Sequence, residues 1–172
     1  MESKAKFLGH SIHQVLIVFP LGLLGTAVIF DVLHLLTNDG SWSGIGFYMM
    51  AAGIIGGLVA ALFGVIDWLG IPTGTRAKSV GTLHGLGNVV MILLFGASWL
   101  LRRSAPSQPD TLAYIFSFAG IAVATFTGWL GGELVSRLGV GVSRGAHLDA
   151  PSSLSRRPVS ENVHGMRRSV GD

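Results

Sequence analysis

Four long apolar stretches organise the chain, near residues 12–36, 45–70, 79–101 and 112–136. Each is long enough to cross a bilayer core, which takes about 20 helical residues. Backbone surrounded by lipid must satisfy its own hydrogen bonds, so α-helix is the form predicted for all four. Turn residues mark the breaks: Asn38-Asp39-Gly40, then Gly70-Ile71-Pro72-Thr73-Gly74, then Arg102 to Asp110 with Pro106 and Pro109. The expected fold is an all-α, four-helix transmembrane bundle, with no collagen-like or solenoid-like repeat visible. Residues 1–11 form a short leading segment. Lys4 and Lys6 resemble the start of a signal peptide, but the apolar stretch is too long, and Asp31 and His34 lie beyond any cleavage site.

Polar and small residues line one face of each predicted helix at 100° per residue. On the first, His10, His13, Pro20, Asp31 and His34 share a stripe, with Pro20 expected to kink it. The second shows Gly53, Gly56, Ala60, Gly64 and Asp67, and the third His84, Asn88, Met91, Phe95 and Ser98. Such stripes suit a bundle interior, since small residues let helices approach closely. On the fourth, Gly120, Ala124, Gly128 and Gly132 form a stripe that misses Glu133. Either Glu133 sits at a seam or the helix unwinds at Gly131-Gly132. Asp31 and His34, near the far end of the first helix, read as a wet hydrogen-bonded pair at the outer interface.

Composition agrees with the pattern. Only 12% of residues are charged and mean hydropathy is +0.59, against about 25% charged in soluble domains. Cysteine is absent, which excludes disulfides, thiolate metal sites and covalent haem attachment. The net charge of +3 lies largely outside the apolar stretches, so it bears on topology and not on nucleic acid. Lys4, Lys6, Arg76, Lys78, Arg137 and Arg144 fall on one side, Arg102 and Arg103 on the other. The positive-inside rule then puts both termini in the cytoplasm of a bacterial inner membrane. Trp42 and Trp99 become outer interfacial anchors and Trp68 an inner one. From Gly139 the chain is rich in Ser, Gly and Arg, and residues 139–172 are expected to be a disordered cytoplasmic tail. His147 and His164 are then solvated, and Arg156-Arg157 and Arg167-Arg168 are candidates for anionic headgroups.

Ionisable residues inside membrane helices are functional candidates by default. Counting depth along the spans puts His13, Asp67, His84 and Glu133 at nearly one level beneath the inner surface, with His10 just outside. Three readings follow. His13 and His84, on parallel and diagonal helices, suit the axial positions of a b-type haem. Gly64, Gly81 and Gly85 make room, and Arg76 and Lys78 pair with propionates. Asp67 and Glu133 orient the imidazoles, with Asn88 in support. Alternatively, His10, His13, Asp67, His84 and Glu133 are nitrogen and oxygen ligands suited to a Zn, Fe or Mn ion. Or the four groups pair with one another and merely pin the helices. A proton path finds few polar residues at mid-membrane beyond Asn88, Thr125 and Thr127, and no nucleophile motif supports a hydrolase.

The pieces His10-x-x-His13, Phe19-Pro20-Leu21-Gly22, Asp31, Gly64-Val65-Ile66-Asp67-Trp68, His84 with Asn88, and Gly131-Gly132-Glu133-Leu134-Val135 followed by Gly139-Val140-Gly141-Val142 resemble a bacterial membrane family, domain of unknown function 2231. The likeness runs from about residue 9 to 143. Ser136 stands where the family often has Tyr. The resemblance implies a four-helix integral membrane protein and carries no agreed activity. The resemblance also implies company with redox proteins that carry iron–sulfur domains, which mildly favours a redox role. The expected function is a haem-binding electron-transfer component in the lipid bilayer, exchanging electrons with a quinone or an iron–sulfur partner. A homo-oligomer is compatible with the small-residue stripes.

Overall fold

A computed structural model describes residues 1–155. It contains a two-residue-per-strand hairpin, β1 (Lys6–Phe7) and β2 (His10–Ser11), then α1 (Ile12–Leu16), α2 (Val18–Thr37), α3 (Gly40–Leu69), α4 (Arg76–Arg102) and α5 (Thr111–Ser136). Four helical spans are long and apolar enough to cross a membrane, α1 and α2 together forming the first. Each predicted span is present, with ends within a few residues of those expected; the largest difference is α3, which starts five residues earlier, at Gly40. The small hairpin was not foreseen.

The break between α1 and α2 falls at Ile17. Pro20 has no N–H to give the carbonyl four residues earlier, and its ring crowds that carbonyl. The regular helix is interrupted there, while Ile17 keeps helical backbone angles. Helix starts follow the turn chemistry. Asp39 caps α3 by accepting from the Ser41 N–H at 2.9 Å, and Thr75 caps α4 by accepting from the Lys78 N–H at 3.2 Å. Bonds from the Ser41 hydroxyl and N–H hold the Asp39 carboxyl below its ordinary range. The cap is therefore ionised at neutral pH and is lost only as pH falls through that lowered value.

α2 packs on α3 and α4 on α5, giving two hairpins; α3·α4 and α2·α5 join them and leave α2 and α4 on diagonal corners. Leu24, Ala27, Val28, Met50 and Phe95 form the buried core between the ends. The seats are glycines. A Cβ on Gly53 would lie 2.7 Å from Leu24, and one on Gly120 would lie 2.9 Å from Phe95, so neither position admits a larger residue without displacement. The α5 interior stripe is Gly120, Ala124, Thr127 and Leu134, while Gly128 and Gly132 face outward. The helix stays wound through Gly131-Gly132, and Glu133 sits at the seam with α4.

At the end of the bundle carrying the N-terminus, residues 1–11 fold back over the helix ends. The Met1 ammonium donates to the Gly139 carbonyl at 2.7 Å, and the Gly141 N–H donates to the Met1 carbonyl at 2.8 Å. The first residues of the stretch expected to be disordered are thus tied to the leading segment, and the Arg144 N–H reaches Glu2 at 3.0 Å. His147 is exposed. His164 and the Arg156-Arg157 and Arg167-Arg168 pairs lie outside the described residues.

At the opposite end the reading of Asp31 and His34 as a wet pair is corrected. Asp31 and Arg102 are both fully buried and form a two-pronged ion pair, with Arg102 Nη2 at 2.8 Å from Asp31 Oδ2 and Nη1 bonded to Oδ1. The Ser117 hydroxyl donates to Asp31 at 2.7 Å, Arg102 Nε donates to Ser98, and the guanidinium lies 5.0 Å over the Tyr114 ring. His34 is bonded to the Asp39 carbonyl at 2.9 Å and stacks on Tyr114, and does not pair with Asp31. The cause is depth. Two fully buried charges in a low-dielectric interior must neutralise each other, and guanidinium geometry suits a two-point bond to carboxylate.

Candidate functional site

Of the five residues assembled by sequence as one cluster, the fold brings two together. His13 on α1 and His84 on α4 lie with ring centroids 6.4 Å apart and planes 89° to each other. Each ring is fixed in the same way. His13 Nδ1 lies 2.9 Å from the Ala60 carbonyl, and His84 Nδ1 lies 2.8 Å from the Thr127 carbonyl. A carbonyl only accepts, so both rings carry hydrogen on Nδ1, and in the neutral ring Nε2 is then the lone pair. Glycine one turn further along the partner helix lets the ring come so close. A Cβ on Gly64 would stand 3.0 Å from His13 Cε1, and one on Gly131 would stand 3.2 Å from His84 Cε1.

The two histidines differ in what meets Nε2. The Asn88 side-chain amide donates to His84 Nε2 at 3.0 Å, and the Thr127 hydroxyl donates to Asn88 Oδ1 at 3.0 Å. With the bond from Nδ1 to the Thr127 carbonyl, this closes a ring of three hydrogen bonds between α4 and α5. His13 has no counterpart of Asn88 one turn on; Ile17 stands there.

The other members are held elsewhere. Asp67 is buried and capped by the leading segment: the Ser3 hydroxyl donates to Oδ1 at 2.7 Å, the Lys4 N–H to the same oxygen at 2.9 Å, and the Ser11 hydroxyl to Oδ2 at 3.3 Å. Glu133 pairs with Arg76 at 2.6 Å. His10 is exposed on β2, lining an apolar recess with Phe7, Leu8 and Val15. Among the described residues no group of three or more His, Asp or Glu side chains converges as a metal site. The five-ligand ion site is therefore corrected, because each carboxylate is satisfied by a nearer donor. The orienting role expected of Asp67 and Glu133 is corrected too. Backbone carbonyls orient both imidazoles. Mutual pairing of the four groups does not occur either. Each has a partner of its own.

Arg76 and Lys78, expected to pair with propionates, also have partners within the protein. Arg76 holds Glu133, and Lys78 donates to the Trp68 carbonyl at 2.7 Å with its ammonium 3.6 Å over the indole. Gly64 is one of the residues making room, as expected, whereas Gly81 seats Trp68 and Ile71, and nothing stands near a Cβ on Gly85. Sequence reasoning gave no sign of Ser3 and Ser11. It named Thr127 only as a polar residue at mid-membrane. Removing the Asp67 cap has a checkable result. In Asp67→Ala, amide exchange at Lys4 and Ala5 rises at least about tenfold, since each bond to an ionised group is worth roughly 1.5–3 kcal/mol. Hydrogen exchange with mass spectrometry reads this directly.

A four-span helical bundle whose described carboxylates, lysines, arginines and histidines lie toward its two ends defines an integral, multi-pass membrane protein. Residues 9–144 match the model of the family described as predicted membrane protein (DUF2231), and the chain belongs to that family. No curated protein and no solved structure matches it.

Proposed function

We propose that His13 and His84 are the axial ligands of a b-type haem and that the protein is an electron-transfer component of the membrane. The observation that carries this reading is the pair of facing imidazoles, each anchored through Nδ1 to a backbone carbonyl with Nε2 directed elsewhere. That anchoring is how ligating histidines are generally held. The ring centroids lie 6.4 Å apart, close enough for His13 and His84 to hold one metal ion between them, given bonds of about 2 Å. Two candidate ligands with no third beside them among the described residues suit haem iron better than a bare ion. Bound haem would supply a one-electron couple. The chain's own part is to hold both rings at fixed tautomer and to exclude water from the bundle interior. Ligation by His84 requires its Nε2 to give up the Asn88 amide.

The electron partner in this reading is a quinone dissolved in the bilayer or an iron–sulfur protein at its surface. We place the N-terminal end at the cytoplasmic face of a bacterial inner membrane. Burial of Arg102 supports this, because it leaves Arg103 as the exposed cation of the α4–α5 connection. The second reading is structural, and the closed hydrogen-bond ring of His84, Asn88 and Thr127 favours it: the histidines then only pin helix pairs. Titrating haem into the detergent-solubilised protein separates the two. The haem reading expects saturation at one haem per chain with a six-coordinate, low-spin spectrum. Binding without saturation, or a spectrum independent of the protein, overturns it.

A further inference from the structure

The two hairpins repeat each other position for position where they pack. On the first helix of each, His13 and His84, Leu24 and Phe95, and Asp31 and Arg102 are all separated by 71 residues. On the second helix of each, Gly53 and Gly120, Ala60 and Thr127, and Gly64 and Gly131 are all separated by 67 residues. These positions do the same things. Leu24 seats on Gly53 as Phe95 seats on Gly120, and His13 docks on the Ala60 carbonyl beside Gly64 as His84 docks on the Thr127 carbonyl beside Gly131. The change in spacing is absorbed in the α4–α5 side, where Arg102 and Ala113 are closer in sequence than Asp31 and Gly46. Between hairpins, two equivalent pairs meet their own counterparts: His13 meets His84 at one end, and Asp31 meets Arg102 at the other. In an interface with twofold symmetry, a position meets its own equivalent only at the axis. Two such meetings at opposite ends of the bundle draw that axis along its length.

We infer that the chain is two copies of one helical hairpin closed face to face about an internal twofold axis, and that Asp31 and Arg102, at equivalent positions, specify the pairing of unlike copies. Two first hairpins would bring carboxylate against carboxylate and two second hairpins guanidinium against guanidinium, each a repulsion with no water to screen it. Only the unlike pair neutralises. The shared face is thus an interaction surface whose fitting partner is a second hairpin of the same kind with the opposite charge. This holds whether or not haem binds between the histidines.

The test is charge reversal in the full chain. Asp31→Arg and Arg102→Asp alone each place like charges on the axis, and both lose thermal stability in detergent. The double variant, Asp31→Arg with Arg102→Asp, regains at least half of the larger single loss. Equal positions tolerate exchange. A pair whose surroundings serve only Arg at 102 does not, so a double variant as unstable as the worse single overturns the inference. A circular permutant supplies a second measurement. Met1 touches Gly139 and Glu2 touches Arg144, so a chain running from Gly74 to the tail, through a short linker to Met1 and on to Thr73, closes the same ring of helices. The inference expects wild-type helix content and a cooperative melt, and absence of a folded product counts against it.

Discussion

Arg102→Ala is expected to destabilise the bundle by about 3–5 kcal/mol, the range for breaking a buried ion pair and leaving one charge behind. The stranded group is Asp31, fully buried and left with the Ser117 hydroxyl as its remaining donor. Asp31→Ala strands Arg102 in the same way. Exchanging both residues for leucine is expected to recover most of the loss, because the pair's attraction largely offsets its own desolvation and well-packed apolar groups remove both. Ser98 and Ser117 keep backbone acceptors, the Ala113 and Tyr114 carbonyls, when the ions are gone. Reversible unfolding in mixed micelles measures all three variants. A single loss below about 1 kcal/mol, the surface-pair range, contradicts the burial described.

The second large effect concerns the histidines. His13→Ala and His84→Ala are each expected to weaken haem binding by more than the roughly 10–100-fold that follows loss of a supporting group around a metal. The spectrum should turn from six- to five-coordinate. Asn88→Leu separates ligation from pinning. It removes the amide that occupies His84 Nε2 while leaving the Nδ1 anchor on Thr127 intact. Under the haem reading it binds haem at least as tightly as the wild type. Under the structural reading it loses stability comparably to His84→Ala and no variant binds haem.

The spans were legible because about 20 apolar residues in lipid have one economical conformation. His13 and His84 were legible because both sit on polar stripes at matching depth. Equal depth is nevertheless a weaker condition than contact. Asp67 lies near their level, yet it turns to residues 3–11, a segment with no periodicity to announce that it folds back. Glu133 lies there too, and Arg76 reaches it first. Arg102 was read as a loop cation because it stands beside Arg103 at a helix end. Its partner was signposted, since Arg102 follows His84 by the same 18 residues by which Asp31 follows His13. A repeat of whole hairpins escapes a search for short periods, because most lipid-facing residues are free to vary as long as they stay apolar. The seats and the axis positions keep the register.

The most direct measurement is the reduced-minus-oxidised visible spectrum of the protein purified from haem-replete cells, with His13→Ala/His84→Ala prepared in parallel. Two facing, backbone-anchored imidazoles predict an intense Soret band and a sharp α band on reduction in the wild type, both absent from the double variant. A colourless wild-type protein, or a band that survives loss of both histidines, contradicts the account.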